Sequence, residues 1–406
     1  MNLEDFRKEF PQLEQKVYGK DLVYLDNAAT SLRPRSVIGK WNEMAEIKNA
    51  NIYRANHYSA IQATSEVEAA RQAVKTFLNA GSAEEIIFTS GDTASLNLLA
   101  YSFGESFIKE GDEVILSEAE HHSDIVPWQL LCNRKGATIK VLPVDDRGEI
   151  LTEKLTDLIG EKTRIVCVAQ VSNVLGIVNP IEEIIRIAHS NGVPVAIDGA
   201  QGIVHRKVDV QALDCDFYAF SGHKIYASPG TGVLYGKKEW LERMVPWQGG
   251  GEMISTVKWS GTSYAGLPFK FEAGTPNIAG IPTIVPALQI ASTVAEENGF
   301  QEKQIVEYIC SEFRSNPGIR LYGSEDNPER RIPLFSFTYD GVHHEDLSIL
   351  LDKMGVAVRS GQLCAEPLMD RFGVTGMIRA SFGAYNTMEE AEYFISSLQK
   401  AVKMLV

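Results

Sequence analysis

Between residues 20 and 270 the sequence alternates short apolar runs with amphipathic segments, and this alternation constrains the fold more than any other feature. The apolar runs are typical of buried strands, and segment 181–190 has the spacing of an amphipathic crossover helix. Strands that alternate with helices predict an α/β fold, in which a mostly parallel sheet carries helices on both faces. The predicted strands cover residues 23–26, 85–90, 113–117, 138–143, 164–171, 193–198, 217–220 and 232–235.

After residue 277 the order of the elements changes. Helices are predicted at 281–298, from 302 and from 388, and strands at 334–339, 356–359 and 377–382. This order indicates a smaller α+β domain. Apolar side chains recur at helical spacing near the N-terminus, which predicts a helix that packs with the small domain. We therefore expect an N-terminal helix at 1–18, a large domain at 19–277 and a small domain at 278–406.

Several polar residues lie at or just past the ends of predicted strands. Ligands of α/β sheets bind beyond the carboxyl ends of the strands, so these positions mark the candidate site. They are Ser90, Ser117, Asn173, Asp198 and Lys224.

Lys224 and Asp198 carry the most specific chemistry, because each ends an apolar run. Pyridoxal 5'-phosphate (PLP) needs an amine that forms an imine with its aldehyde, and a carboxylate that keeps its ring nitrogen charged. The pair therefore predicts PLP, with Lys224 as its covalent attachment point and as the base that moves the substrate α-proton. Taken singly, each residue also fits an ordinary charge at the end of a strand.

A phosphate site is predicted where segment 89–97 ends a strand and opens a helix. The free N–H groups and the dipole of a helix start favour an anion. Asp92 and Thr93 lie at this start and are expected to contact the phosphate, although either also fits a simple N-cap. Ser221 and His223, close to Lys224 in the chain, are placed to hold the same phosphate.

Other residues are candidates for binding the cofactor ring and the substrate. His121 follows a strand and is placed to stack on the ring, with a surface turn as the alternative, and Gln201 is placed to donate to the ring oxygen. Arg359 and Arg379 each end a predicted strand of the small domain, and a guanidinium matches a substrate carboxylate. We favour Arg379 for this role, while either arginine also fits a structural ion pair.

Composition excludes several classes of function. The net charge of −14 argues against nucleic-acid binding by bulk attraction. No apolar stretch reaches the ~18 residues of a membrane span, and the N-terminus lacks an apolar signal core, so a cytoplasmic location is expected. The five cysteines form no CxxC motif, which predicts neither a disulfide framework nor a metal site. Four of them lie in apolar or helical settings, whereas Cys364 lies in a loop after a predicted strand.

Long motifs in a fixed order run through nearly the whole chain. Besides those around Lys224 and Arg379, they cover residues 24–29, 120–129, 171–176, 214–218 and 271–277. They resemble the motifs of fold type I, class V PLP enzymes, and in particular of the SufS-type group II cysteine desulfurases, also called selenocysteine lyases. Segment 120–129 is particular to this branch.

This resemblance implies a seven-stranded large domain, a small C-terminal domain and a defined reaction. Sulfur is removed from L-cysteine to give L-alanine and a persulfide on Cys364, which supplies iron–sulfur cluster assembly through a sulfur-acceptor protein. The resemblance also implies that His121 stacks on the ring and shuttles protons, and that Asn173 holds the ring or the substrate carboxylate. Thr275 would reach the cofactor phosphate of the neighbouring subunit in a homodimer.

The chain departs from the family pattern in places. Gln362 and Leu363 replace two usual histidines, Asp92 replaces a frequent threonine, and Asp124 stands where asparagine is common. Selenocysteine lyase or cysteine sulfinate desulfinase activity remains an alternative. Another class V chemistry, such as that of an aminotransferase, an epimerase or a hydrolase, and a non-catalytic scaffold are further alternatives.

Overall fold

The computed structural model describes residues 3–297, 299–324 and 330–406. Its N-terminal segment comprises helix α1 (Leu3–Lys8), a 3₁₀ turn at Pro11–Glu14 and strands β1 (Lys16–Val17), β2 (Lys20–Asp21) and β3 (Val23–Tyr24). The prediction of one helix over 1–18 is therefore wrong, and residues 1 and 2 of that range lie outside the described residues. Pro11 disfavours helical geometry at Phe10, which has φ −107° and ψ 87° and so separates the helix from the turn.

The large sheet contains seven strands in the order β4-β10-β9-β8-β7-β5-β6. Only β10 is antiparallel to its neighbours, which confirms the predicted fold class. Its interior strands are buried on both faces, as expected of a sheet covered by helices. The strands are β4 (Ile86–Thr89), β5 (Glu113–Ser117), β6 (Thr138–Leu142), β7 (Thr163–Ala169), β8 (Val195–Asp198), β9 (Phe217–Ser221) and β10 (Gly232–Gly236).

Helices connect these strands and cover the sheet. Helix α7 has the predicted bounds, because Ile181, Ile184, Ile185 and Ala188 form one buried apolar face. The helices of this region are α2 (Arg35–Glu46), α3 (Tyr58–Phe77), α4 (Asp92–Phe107), α5 (His122–Lys135), α6 (Thr152–Leu158), α7 (Ile181–Ser190), α8 (Gly202–His205), α9 (Val210–Leu213) and α10 (Lys238–Arg243). A hairpin of β11 (Ile254–Lys258) and β12 (Gly261–Tyr264) follows them, and Trp259 at its tip is fully exposed.

The C-terminal region forms a second, antiparallel sheet in the order β13-β14-β17-β16, as its predicted strands suggested. The strands are β13 (Ile319–Tyr322), β14 (Leu334–Tyr339), β15 (Val356–Ala357), β16 (Arg359–Gly361) and β17 (Met377–Ser381). The helices are α11 (Ile284–Glu297), α12 (Gly299–Ser315), α13 (His344–Lys353), α14 (Glu366–Phe372) and α15 (Met388–Leu405). Asn298, the predicted end of the first helix, lies outside the described residues.

Two elements pack with a different domain from the one to which the sequence analysis assigned them. Strand β3 pairs in parallel with β15, so it belongs to the small-domain side rather than to the large sheet. Helix α11 shares its core with α3 of the large domain, through side chains such as Ile284 and Leu288. We therefore propose that the domain boundary follows α11, later in the chain than residue 277.

Candidate active site

A cavity of about 310 Å³ opens at the carboxyl ends of the parallel strands, where the small domain meets the large sheet. Every residue that the sequence assigned to the cofactor, the substrate or catalysis lines it, except Thr275, whereas the strand-end residues Ser90 and Ser117 are not among the described residues that line it. The assigned residues that line it are Asp92, Thr93, His121, Asn173, Asp198, Gln201, Ser221, His223, Lys224, Arg359, Cys364 and Arg379. Thr275 lies on an exposed loop and is not among the described residues that line the cavity.

Asp198 ends β8 and Lys224 follows the neighbouring strand β9, so the sheet brings both side chains to one edge. Burial lowers the pKa of the Lys224 amine, against the opposing attraction of Asp198 and Asp92. Lys224 makes no hydrogen bond or ion pair within the described ranges, so its nitrogen is free to react. One carboxylate oxygen of Asp198 accepts the Ala200 N–H at 2.8 Å, which orients the group.

The expected phosphate end of the cavity lies at the start of α4. Gly91 precedes this helix with φ 154°, and the N–H of Asp92 donates to the Ser221 hydroxyl at 2.7 Å. The Thr93 hydroxyl contacts the Ser123 hydroxyl at 2.8 Å. Small polar groups therefore surround a helix N-terminus whose first N–H groups have no partner within the helix. This arrangement favours an anion.

His121 lies in the wall of the cavity and precedes α5. Its Nδ1 accepts the N–H of Ser123 at 3.0 Å, so the neutral ring carries its proton on Nε2. Burial, then the nearby Lys224, lowers the pKa of His121 to about 4, which keeps the ring uncharged at neutral pH. A neutral imidazole with a defined tautomer can stack on a ring and exchange a proton.

Gln201 and His223 are held by contacts to residues 28–31. Gln201 donates one amide hydrogen to the carbonyl of Ala28 at 2.7 Å, which leaves its second hydrogen for another acceptor. His223 Nδ1 lies 3.2 Å from the Thr30 hydroxyl. Burial, with Lys224 as the second cause, lowers the pKa of His223 to about 4. Both side chains are therefore positioned before any ligand is bound.

The two arginines differ in their surroundings. Arg359 is half exposed and binds Asp26 through two of its nitrogens, at 2.9 and 3.0 Å. Arg379 is buried, donates to the carbonyl of Asn173 at 2.8 Å and approaches Asp26 at 3.4 Å. Burial lowers the pKa of Arg379 to about 10, so it stays charged, and its buried Nε has no hydrogen-bond partner among the described residues. Both arginines form an ion pair with Asp26, and Arg379 keeps an unpartnered donor that fits a substrate carboxylate.

The loop that carries Cys364 is fixed to the large domain by hydrogen bonds. Asn173 donates to the carbonyl of Leu363 at 2.8 Å, and the N–H of His122 donates to the carbonyl of Cys364 at 2.8 Å. The N–H of Glu366 donates to His122 Nε2 at 2.9 Å. The side chain of Leu363 is buried and anchors the loop. Cys364 itself is exposed, whereas the other four cysteines are buried as predicted.

Sequence reasoning did not assign roles to Asp26, Leu363 or Glu120. Asp26 joins the two arginines, Leu363 anchors the cysteine loop, and Glu120 is a buried carboxyl group behind His121. The only sequence signal for Asp26 is its position after an apolar run, and Leu363 has none. Their partners are distant in the chain, so only the folded structure reveals them.

These residues fit PLP. The cavity contains a free, buried amine, a helix N-terminus for a phosphate and an oriented carboxylate at the end of the neighbouring strand. The unpartnered Nε of Arg379 supplies a donor for an amino-acid carboxylate. In the part of the chain that the structure describes, no cluster of metal-ligating side chains occurs.

The sheet order and a cavity with this lysine and aspartate define an α/β enzyme of fold type I. The chain belongs to the aminotransferase class-V family, whose model matches residues 23–394. This confirms the family resemblance.

Curated relatives are similar to this chain over their full length. A probable cysteine desulfurase from Vibrio cholerae is 46% identical and covers 100% of both chains. A cysteine desulfurase from Dickeya dadantii is 44% identical over 98% of this chain and 96% of its own.

Solved structures agree with this result. The Escherichia coli cysteine desulfurase CsdA, in an S-sulfonic acid form, has a TM-score of 0.92 and 38% identity, with both chains fully covered. The apo cysteine desulfurase from Thermococcus onnurineus NA1 has a TM-score of 0.93 and 34% identity, with 99% and 98% covered. Within the described residues of this chain, no helix has the length and apolar character needed to cross a membrane.

Proposed function

We propose that this chain is a PLP-dependent cysteine desulfurase that converts L-cysteine into L-alanine and leaves the sulfur as a persulfide on Cys364. The full-length similarity to curated cysteine desulfurases supports the activity. The observation that carries the proposal is the convergence of Lys224, Asp198, Arg379 and the exposed Cys364 on one cavity. The first three fit binding of an amino acid to PLP, and the fourth fits sulfur transfer.

Each side chain then has a physical role. When bound, PLP supplies an aldehyde for an amine and a ring that withdraws electrons from the substrate α-carbon. Arg379 binds the substrate carboxylate and so fixes the α-carbon next to Lys224. The buried amine of Lys224 takes the α-proton, because burial favours its neutral, basic form. The neutral ring of His121 stacks on the cofactor ring and exchanges a proton through its Nε2. Asp198 stabilises positive charge on the ring nitrogen.

Cys364 performs the sulfur transfer. Its thiolate attacks the sulfur of the substrate, so that an S–S bond forms as the C–S bond breaks. The electrons of the broken bond remain on the substrate β-carbon, which takes up a proton and leaves as part of alanine. The hydrogen bonds to the carbonyls of Leu363 and Cys364 hold this loop over the cavity.

Further parts of the proposal concern partners. Large apolar side chains are exposed on α2, on α3 and between them, which supports a homodimer. In this homodimer Thr275, on its exposed loop, would contact the cofactor phosphate of the other subunit. We also propose that a sulfur-acceptor protein of iron–sulfur cluster assembly removes the persulfide sulfur, and that L-selenocysteine is an alternative substrate.

The test compares wild type with Cys364→Ser in an assay for alanine and protein-bound sulfane sulfur after addition of L-cysteine. The variant keeps the cofactor and its yellow colour but loses nearly all turnover, because serine cannot accept sulfur. Borohydride reduction and peptide mapping should place the cofactor on Lys224. Full turnover by Cys364→Ser contradicts the persulfide role and favours a lyase that acts on selenocysteine or cysteine sulfinate.

A further inference from the structure

Four carboxyl groups lie together at one side of the cavity, where Asp92 and Asp198 line it. Asp92, Glu120, Asp124 and Asp198 have exposed fractions of 7%, 1%, 1% and 6%. The titratable groups that face them from the surrounding elements are Lys224, His121, Cys167 and Tyr218. Burial disfavours the cationic forms of both His121 and Lys224, so neither offsets much negative charge. Four ionised carboxylates would therefore leave a large net charge in a buried site, which is strongly unfavourable.

The carboxyl groups are arranged in two pairs. Asp92 is within hydrogen-bonding reach of Asp198, and Asp124 is within reach of Glu120. In the described part of the chain, Asp92 Oδ1, Asp124 Oδ2 and Glu120 Oε2 are buried without an N–H or hydroxyl donor. An ionised carboxylate only accepts hydrogen bonds, so two carboxyl groups in contact need a shared proton.

The other contacts indicate where each proton lies. Burial raises the pKa of Glu120 to about 8, against the two hydrogen bonds that its Oε1 accepts from the Ser117 hydroxyl and the Ala169 N–H. Asp198 accepts the Ala200 N–H. Asp124 accepts one bond, from the Trp128 indole at 3.2 Å. No donor reaches the side chain of Asp92 among the described residues.

We propose that Asp92 and Asp124 are protonated in the working enzyme and donate their acid protons to Asp198 and Glu120, respectively. Burial, followed by the neighbouring carboxylates, raises the pKa of both aspartates well above its usual value. Asp92 is then a positioning residue, because its proton fixes the second oxygen of Asp198 while the Ala200 N–H fixes the first. This role rests on the proposed function.

A neutral Asp92 also removes a conflict at the start of α4. Its N–H donates to the Ser221 hydroxyl, so residue 92 lies at the expected phosphate site. An ionised side chain there would repel the phosphate, whereas a neutral acid turned towards Asp198 does not.

The test measures the protons directly in the holoenzyme. Infrared spectra at pH 7.5 in H₂O and D₂O detect the carbonyl stretch of buried carboxylic acids. We expect this band in wild type, less of it in Asp92→Asn and in Asp124→Asn, and least in the double variant, where Glu120 remains as a buried carboxyl group with a raised pKa. The exposed Asp157→Asn serves as the matched control and should leave the band unchanged. Absence of the band from wild type, or a full band in both single variants, overturns the proposal.

A second measurement is the pH dependence of unfolding. A carboxyl group that is protonated when folded and ionised when unfolded releases a proton on unfolding. Between the pKa of this group in the unfolded state and its pKa in the folded state, the unfolding equilibrium constant therefore rises about tenfold for each unit of increase in pH. The slope of the logarithm of this constant against pH should fall by about one in Asp124→Asn, since its amide donates at every pH. An unchanged slope contradicts the assignment of that proton.

The positioning role of Asp92 needs a variant with the donor and one without it. Asp92→Asn keeps a donor to Asp198 and Asp92→Ala removes it, so we expect the alanine variant to form alanine roughly ten- to a hundredfold more slowly than the asparagine variant, as expected for a hydrogen bond to a charged group. Equal activities of the two variants overturn this role. If the infrared band is present but neither wild type nor any variant forms alanine, the proton assignment stands and the desulfurase proposal fails. If alanine forms without the band, the proton assignment fails by itself.

Discussion

At the residue scale, burial controls the charge of the side chains that would handle protons. Lys224, His121 and His223 lie in one cavity whose surroundings disfavour their cationic forms. Arg379 is equally buried but keeps its charge, because a guanidinium retains a high pKa even after burial lowers it to about 10. The cavity therefore combines neutral bases with two guanidinium cations, of which Arg379 is the buried one. This combination suits proton transfer next to a bound carboxylate.

The histidines lead to a prediction about pH. Their folded pKa of about 4 lies below the unfolded value of about 6.5, so their neutral forms stabilise the fold fully above pH 6.5, and this stabilisation is lost as the pH falls towards 4. We expect the unfolding midpoint of wild type to drop over this window and that of His223→Asn to drop less. Thermal denaturation at pH 7 and pH 5 checks this.

The control is His343→Asn. His343 is exposed, and asparagine keeps its capping contact with α13, so this variant should follow wild type. A His223→Asn variant with the same pH dependence as wild type would show that His223 does not contribute.

At the scale of the element, the Cys364 loop is held in an unfavourable backbone conformation. Leu363 and Cys364 have φ of 55° and 56°, in the left-handed region that costs a residue with a Cβ atom about 1–2 kcal/mol. Buried Leu363 and the hydrogen bonds from Asn173 and His122 offset this cost. These contacts therefore hold the loop in one position over the cavity.

Removal of one contact should loosen this loop. In His122→Ala the N–H of Glu366 loses its acceptor, so we expect persulfide formation to slow by roughly two- to tenfold, as for one neutral hydrogen bond, while cofactor absorbance stays unchanged. Single-turnover sulfur transfer measures the effect. Gln362→Ala is the matched control, because it removes only the exposed contact with Glu366 within the loop. Equal rates in wild type and His122→Ala would show that this hydrogen bond does not position the Cys364 loop.

At the scale of the whole molecule, the described residues form one large hydrophobic core on each face of the large sheet and a third around the small sheet. The first contains α11, and the third contains α12, α15 and β3. Phe10 packs in the core with α11, with ring contacts to Tyr226 at 5.8 Å and Tyr385 at 4.5 Å. Asp26 follows β3 and binds both small-domain arginines. The N-terminal segment therefore helps to fix the geometry of the site.

A buried ion pair stabilises the large domain near the loop that carries Thr275. Glu272 binds Arg71 through both oxygens, at 2.7 and 2.9 Å, and also accepts the N–H of Phe88. Glu272→Ala removes the bidentate partner of buried Arg71 and leaves it the 3.3 Å contact with the partly exposed Glu68, so we expect a loss of about 3 kcal/mol in unfolding free energy. Chemical denaturation with Glu105→Ala as the control measures this, since that exposed pair is worth at most about 1 kcal/mol. A similar midpoint for both variants would contradict the prediction.

Local patterns of sequence determined the strands of the large sheet, helix α7 and most of the cavity residues. Apolar runs that are buried on both faces leave few alternatives to a parallel sheet, and the ends of parallel strands must meet at one edge. Lys224, Asp198 and His121 were identifiable for this reason. The helix over 1–18 was not predicted correctly, because the effect of one proline outweighed an amphipathic pattern.

Tertiary structure decided what depends on contacts between distant segments. The sequence did not reveal that β3 pairs with β15, that Asp26 binds two arginines or that Asp92 and Asp124 face other carboxyl groups. Periodicity reports which face of an element is buried, but it does not report which partner covers that face or which charges become neighbours. Pairing, burial and protonation therefore arise only when the chain is folded.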